Sequence, residues 1–304
     1  MAESNIQWTH FTWNPARGCT KVSPGCDFCY MMRESMDGHR YDPETVTRTK
    51  TVFDAPLRLQ KRRRYLAERI SLGAATDKQR EEYDRIKKIV LIFTSSLTDI
   101  FHPDIDPYRD EIWAIIRQCP EFIFQILTKR IERAKDCLPP DWGSGYSNVW
   151  LGCTVENQEY YNKRVPYLLS TPAIVHFVSY EPALGEIRFG HIDAELEGHP
   201  DYIQINPLTG KHSDMGRPWG TVPKLDWVII GGESGNDKGK WRFRKARLQW
   251  YESAIEQCQE AGVAVFMKQM GTWLSKELKM SDRHGGDINE FPKHLKVREF
   301  PKAA

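Results

Sequence analysis

Seven short apolar runs recur along the chain, each closing on polar side chains: IQWTHFTW (6–13), KIVLIFTSS (88–96), FIFQILT (122–128), NVWLGCTVE (148–156), AIVHFVSYE (173–181), DWVIIGGES (226–234) and VAVFMKQ (263–269). Most are near-continuous rather than alternating, the pattern of parallel strands buried on both faces. Helical patterns stand between them. Residues 106–120 carry an Asp cap, a Pro in the first turn and Ile112, Ile115 and Ile116 on one face. Residues 157–171 and 244–262 follow suit, the latter closing on Gly262, and 53–88 has room for two helices. Strand and helix in alternation predict an α/β fold with right-handed crossovers. Seven units with no linker favour a partial (β/α) TIM-like barrel of about six to seven parallel strands over 1–271. An open doubly wound sheet is the rival, but it lacks its glycine-rich phosphate fingerprint. Residues 186–225 break the rhythm as a long Gly-, Pro-, His- and Asp-rich insertion, and 272–304 reads as a polar, irregular extension in which DRHGGD forms a flexible loop.

In a barrel the loops at the carboxyl ends of the strands share one rim, and chemistry gathers there. Here those ends are polar throughout: Thr94, Ser95, Ser96, Thr98 and Asp99; Thr128, Lys129 and Arg130; Thr154 and Glu156; Ser179 and Glu181; Glu233 and Ser234; Lys268 and Gln269. Any one of them is explained by a helix cap. The series suits a polar ligand bearing an amine, a carboxylate and a ribose, and Gly231 and Gly232 allow close backbone approach or a tight turn.

After the first predicted strand comes RGCTKVSPGCDFCYMM, which sets Cys19, Cys26 and Cys29 in the spacing C-x6-C-x2-C. The N-terminus has no basic segment followed by an apolar one, and no apolar run is long enough to span a bilayer. The expectation is therefore a cytoplasmic protein with no membrane association. In a reducing compartment clustered cysteines are metal ligands or reactive thiols more often than disulfides. Cys119, Cys137, Cys153 and Cys258, scattered among apolar neighbours, read as small core residues. Two readings of the trio stand: a zinc site completed by His39 or His10, and a [4Fe-4S] cluster with three thiolates and one open iron. No fourth ligand lies at a short spacing, and an open iron facing a polar rim makes a reaction centre.

These residues resemble the radical S-adenosylmethionine (SAM) superfamily, in which three cysteines follow the first strand of a partial barrel, usually as C-x3-C-x2-C. Phe28, just before the third cysteine, matches the aromatic position that in those enzymes packs near the adenine. The first gap here is longer than usual. The chain is similar to a phage and bacterial radical-SAM-like family with the same C-x6-C-x2-C spacing, through TWNPARGCTKVSPGCDFCY, SLTDIFH, QILTKR, LGCTVEN, SYEPALG, VIIGGESG and FMKQMG, in order along nearly the whole chain. His10 and Cys153 depart from that pattern and take no role from it.

The resemblance implies a [4Fe-4S] cluster on Cys19, Cys26 and Cys29, with SAM on its open iron and an electron donor such as flavodoxin or ferredoxin. It implies reductive cleavage of SAM and abstraction of a substrate hydrogen. By position it places Phe28, Thr94, Ser95 and Ser96 beside SAM, with Lys129 or Arg130 at its carboxylate and Thr154, Glu156, Ser179 and Glu181 towards its ribose and methionine ends. Lys268, Gln269, Asp99 and Glu233 would meet the substrate. Phage relatives imply DNA as partner and, specifically, isomerisation of a glycinyl-thymine base flipped from the duplex. A repair lyase, an RNA- or peptide-modifying radical enzyme, and a non-catalytic zinc-stabilised nucleic-acid-binding protein are the alternatives. The formal net charge of +2 is nearly neutral, but 40–70 holds nine Lys/Arg against four Asp/Glu. That run reads either as a solvated helix face or as a phosphate-binding patch, helped by the 186–225 insertion.

Overall fold

The computed structural model describes residues 4–32, 42–194, 203–214, 217–240 and 242–302. Its strands are β1 (Phe11–Trp13), β2 (Ala16–Arg17), β3 (Thr47–Arg48), β4 (Leu91–Thr94), β5 (Ile123–Thr128), β6 (Val149–Thr154), β7 (Val175–Tyr180), β8 (Ile192–Ala194), β9 (Ile203–Asn206), β10 (Lys211–Asp214), β11 (Arg217–Thr221), β12 (Trp227–Gly231) and β13 (Ala264–Gln269). The α-helices are α1 (Ala55–Ser71), α2 (Asp77–Ile86), α3 (Arg109–Gln118), α4 (Ala134–Cys137), α5 (Gln158–Ser170), α6 (Leu248–Glu260) and α7 (Gly271–Glu277). No helix among the described residues is long and apolar enough to cross a membrane.

Seven strands form one parallel sheet in the order β1-β4-β5-β6-β7-β12-β13. Each pairs with the next in sequence along the barrel, so the sheet winds in one direction and curls into a half-barrel rather than reversing as a doubly wound sheet does. The predicted α/β partial barrel is the observed class. The insertion is not a loop: β8 to β11 form an antiparallel sheet of their own, in the order β11-β10-β9-β8. The C-terminal stretch is irregular beyond Glu277, with two short 3-10 turns, but it is anchored. It begins with α7, and the turn at 282–286 is held by Ser275, which donates to the Asp282 carbonyl, and by Met270 N donating to Gly285 O at 2.7 Å. Val297 and Glu299 then bond to the free edge of β13. That antiparallel cover blunts an edge that would otherwise offer unpaired backbone groups.

The two faces of the sheet bury different sets of residues. The outer face packs under the helices with Ile92, Phe124, Ile126, Leu151, Val178, Ile230 and Val265. The inner face is a separate cluster of Leu91, Phe93, Trp150, Val175, Phe177, Trp227, Ile229 and Phe266, with Trp8 laid across it. The alternation follows from the two-residue period of a strand. Trp8 was expected inside the first strand; β1 begins only at Phe11, and Trp8 instead plugs the inner face, 4.6 Å from Phe93 and 6.1 Å from Trp227 between ring centroids. Gly152 is required there, since a Cβ would lie 2.6 Å from the Phe177 ring.

Candidate functional site

Continuing along the inner face by the same alternation, the apolar plug gives way to polar side chains. Lys129, Thr154, Ser179, Glu181 and Lys268 take up the positions above Leu127, Gly152, Phe177 and Phe266. Lys129 Nζ donates to Thr154 Oγ1 at 3.3 Å, and Lys268 Nζ donates to Glu181 Oε1 at 2.6 Å. The register of β13 against β12 slips at Lys268: Ile230 opposes Met267, but Gly231 opposes Gln269. This irregularity lies where the Lys268 ammonium meets Glu181. Gly231 is needed beside that pair, since a Cβ would approach the Glu181 carboxyl carbon to 2.9 Å.

The cysteine loop lies across this polar mouth and is fastened to four strand ends. Its first residues run on from β2, with Gly18 N donating to Leu97 O at 3.0 Å. At the end of β4, Asn14 accepts from Leu97 N at 2.8 Å and donates to Ser96 Oγ at 3.1 Å, while the Tyr30 hydroxyl donates to Ser96 O at 2.5 Å. At the end of β5, Arg130 donates to Thr20 O at 2.8 Å and Thr20 Oγ1 at 2.9 Å. At the end of β6, Ser23 Oγ donates to Glu156 Oε1 at 2.6 Å, and Glu156 is wholly buried with Arg164 at 3.0 Å. At the end of β12, Arg244 is bonded to both oxygens of Glu233, reaches Asp27 at 3.5 Å and stands 5.0 Å from the Phe28 ring centre.

Cys19 and Cys29 pack with Met31, Met32 and Leu97 into a small apolar cluster, and Cys26 is buried, its Sγ 3.8 Å from Ser23 Oγ. Burial, the Asp99 carboxylate and the neighbouring Cys26 push the Cys19 thiol up to about 11, against Arg130, whose Nη1 stands 3.6 Å from the sulfur. Burial likewise raises the Cys29 thiol, opposed by the Lys129 charge. The Cys19 and Cys29 thiols so placed are held protonated until a metal displaces the protons. The β4 end carries three buried hydroxyls without a hydrogen-bond partner, Thr94, Ser95 and Thr98; Thr94, expected beside the ligand, shares the helix-covered outer face with Ile92, whereas Ser95 and Thr98 flank Leu97, which packs on Cys19 and Cys29. Ser95 also holds a left-handed backbone, φ 69°, which a residue with a Cβ rarely adopts. Buried polar atoms left unpaired and a strained residue beside them are the marks of a ligand site.

Among the described residues no three His, Cys, Asp or Glu converge as ligands of a single ion do. His10 cannot complete a zinc site: its Nδ1 accepts from Val90 N and Leu91 N at the start of β4, the end of the strands opposite the cysteine loop. His39 lies outside the described residues. Three thiols, a polar mouth and partnerless hydroxyls therefore fit a cluster with a ligand on it.

Several residues expected to touch a ligand are committed to the frame instead. Asp99 accepts from Thr128 Oγ1 at 2.7 Å, Lys129 N at 2.8 Å, Phe101 N at 3.0 Å and Arg130 at 3.4 Å. Glu156 and Glu233 are saturated by Arg164, Ser23 and Arg244, and Gln269 Nε2 donates to Gly232 O and Ser234 Oγ. Arg130 is occupied with Thr20 and Asp99, whereas Lys129 keeps donor capacity beyond Thr154. Ser179 is buried on the inner face, and Ser96 is bonded to Asn14. The residues that fasten the loop, Asn14, Ser23, Arg164 and Arg244, were not anticipated, because nothing local in the sequence marks a partner up to 217 positions away. The arginines of the 40–70 run are also largely paired: Arg48 with Glu111, Arg58 with Asp54, Arg62 with Glu82, and Arg63 and Arg64 with Glu121.

The fold and site together define a parallel α/β half-barrel whose C-terminal rim is capped by a three-cysteine loop. Residues 3–297 match the family described as "Protein of unknown function (DUF5131)", and the chain belongs to that family. No curated protein and no solved structure matches the chain.

Proposed function

We propose that the chain is a radical SAM enzyme, with Cys19, Cys26 and Cys29 holding a [4Fe-4S] cluster over the mouth of the half-barrel. The observation that carries this is the cysteine loop fastened across the polar rim and packed on Leu97, which lies between the partnerless hydroxyls of Ser95 and Thr98. When bound, the cluster supplies the electron that cleaves SAM to methionine and a hydrogen-abstracting 5′-deoxyadenosyl radical. The chain's own residues do the rest. Ser95 and Thr98 offer hydroxyls, and Lys129 an ammonium, to the amino-acid end of SAM. Phe28 offers a ring face, which Arg244 braces. The aromatic plug around Trp227 closes the far side of the mouth to water. Glu181 and Lys268, facing the same mouth, are polar contacts for the substrate, with a proton held on Lys268 Nζ against Glu181 Oε1. The finer reading, isomerisation of a glycinyl-thymine base in phage DNA, rests on the resemblance alone.

The test is anaerobic reconstitution with iron and sulfide, then incubation with SAM and dithionite. Brown protein that releases 5′-deoxyadenosine, and loses both colour and activity in each Cys→Ala variant, is the expected result. A fully loaded cluster that leaves SAM intact overturns the enzyme reading, and colourless zinc-bound protein favours the structural alternative. For the substrate, digestion of glycinyl-thymine DNA after reaction should yield a nucleoside of unchanged mass and shifted retention.

A further inference from the structure

The run NDKGKWRFRKAR, 236–247, holds six Lys/Arg against one Asp, in a chain whose formal net charge is only +2. It leaves the end of β12 at the rim of the mouth, next to the cysteine loop. Lys238, Lys240, Arg242, Lys245 and Arg247 are exposed. The one acid, Asp237, is paired with Lys276 of α7, and Arg244 is turned inward onto Glu233.

The segment is built rather than loose. Asn236 and Arg242 form an isolated β-bridge. Arg283 donates to Gly235 O at 3.1 Å and to Asn236 Oδ1 at 2.5 Å, and Gly235 N donates to Thr272 Oγ1 at 3.2 Å. Two rings, Phe243 and Trp273, lie 6.4 Å apart, with Lys245 Nζ 4.0 Å from the Trp273 centre and Lys276 Nζ 5.5 Å from the Phe243 centre. The Trp273 ring that holds the Lys245 ammonium in this way limits the freedom this long side chain would otherwise lose on meeting an anion. Helix α1 offers the opposite case, since carboxylates of this chain already neutralise most of its arginines.

We propose that 236–247 is a docking platform for the phosphate backbone of DNA, which it presents to the mouth of the half-barrel. Phosphate contacts position a duplex without reading its sequence. A platform on the rim holds the strand beside the mouth, so that one displaced nucleotide reaches Glu181 and Lys268 while its neighbours stay bound. The choice of DNA deepens the proposed function and rests on it; the placement of the cations does not.

The experiment measures anisotropy of a fluorescein-labelled DNA duplex against reconstituted protein over a series of salt concentrations. The triple variant Lys238→Gln/Arg242→Gln/Lys245→Gln is compared with a matched control on exposed lysines outside the segment, Lys61→Gln/Lys78→Gln/Lys88→Gln. Counterion release predicts that the rim variant loses roughly tenfold or more in affinity, and that its log–log salt slope is shallower by about 2.7 for three lost phosphate contacts. The control stays near wild type. An equal loss in both variants, no loss in the rim variant, or no DNA binding by wild type overturns the platform. So does rim-dependent binding to an RNA duplex or to phosphatidylglycerol vesicles without binding to DNA. SAM cleavage without DNA is measured on the same samples, and the rim variant should match wild type. Intact SAM with rim-dependent DNA binding removes the enzyme reading and leaves the platform; cleaved SAM with rim-independent binding removes the platform alone.

Discussion

Gly25→Ala should detach the cysteine loop from the barrel. Gly25 sits in the short turn Pro24–Cys26 directly over Glu156, and an added Cβ would lie 2.5 Å from Oε1, 2.7 Å from Cγ and 2.9 Å from Cδ. The carboxylate cannot swing aside, because Ser23 holds one oxygen at 2.6 Å and Arg164 the other at 3.0 Å. Arg164 is itself buried and donates to Thr154 O at 2.7 Å. Overpacking costs about 1–3 kcal/mol. Lifting the loop also breaks the Ser23 bond to a charged group, roughly 1.5–3 kcal/mol. A combined loss of about 4 kcal/mol in a chain of 304 residues lowers the melting temperature by about 6 °C. Differential scanning fluorimetry measures that, and iron per protein after reconstitution measures whether Cys26 still reaches its partners. Glu156→Ala removes the atoms the methyl group strikes, so Gly25→Ala should add almost nothing to a Glu156→Ala protein already destabilised by its unpaired Arg164. An unchanged melting temperature with full iron loading in the single variant would refute the reasoning.

Trp227, wholly buried among Trp8, Trp150, Phe177, Phe266 and Phe300, should cost about 3–5 kcal/mol on replacement by Ala, read by urea unfolding. Burial holds the His176 imidazole below its usual 6.5, with Nε2 2.8 Å from Thr171 O. The unfolded chain therefore takes up that proton first, and stability falls as pH drops below 6.5; His176→Gln should make the loss shallower in melts between pH about 7.5 and 5.5. In metal-free protein, Cys19 should resist iodoacetamide near neutral pH and react only as pH approaches about 11, which peptide mapping after timed alkylation resolves.

The half-barrel was legible because its strands are continuous apolar runs and its helices carry period and caps: α5 was expected over 157–171 and spans Gln158–Ser170. Residues 6–13 misled because apolar and polar positions alternate through Ile6 and Trp8 just as they do through Phe11 and Trp13, so the pattern could not tell a strand from a plug. The insertion hid its four strands because they are short and rich in Gly, Pro and charge. The cysteine loop was legible from spacing, and the polar rim from where each run stopped. What sequence could not supply was division of labour among the rim residues. Glu156 and Glu181 look alike at the ends of adjacent strands, yet one is sealed beneath the loop by Arg164 and the other faces Lys268 in the open mouth. Such a difference depends on partners brought together only by folding.

The same strand period that separates the two cores also sorts the rim. On β7, Val175 and Phe177 belong to the plug and Ser179 and Glu181 to the mouth, while Val178 and Tyr180 between them go to the helices. On β5, Leu127 belongs to the plug and Lys129 to the mouth, while Thr128 turns outward to brace Asp99. A one-residue slip in β7 would bury Glu181 under helices and turn the Tyr180 ring into the mouth, and one in β5 would bury Lys129, so the register is specified by both faces at once. The apolar plug thus underlies the polar ring: strands β4 to β7, β12 and β13 all set side chains against it beneath the mouth. That footing lets a short loop with three cysteines be fastened to four strand ends and held in one position above them.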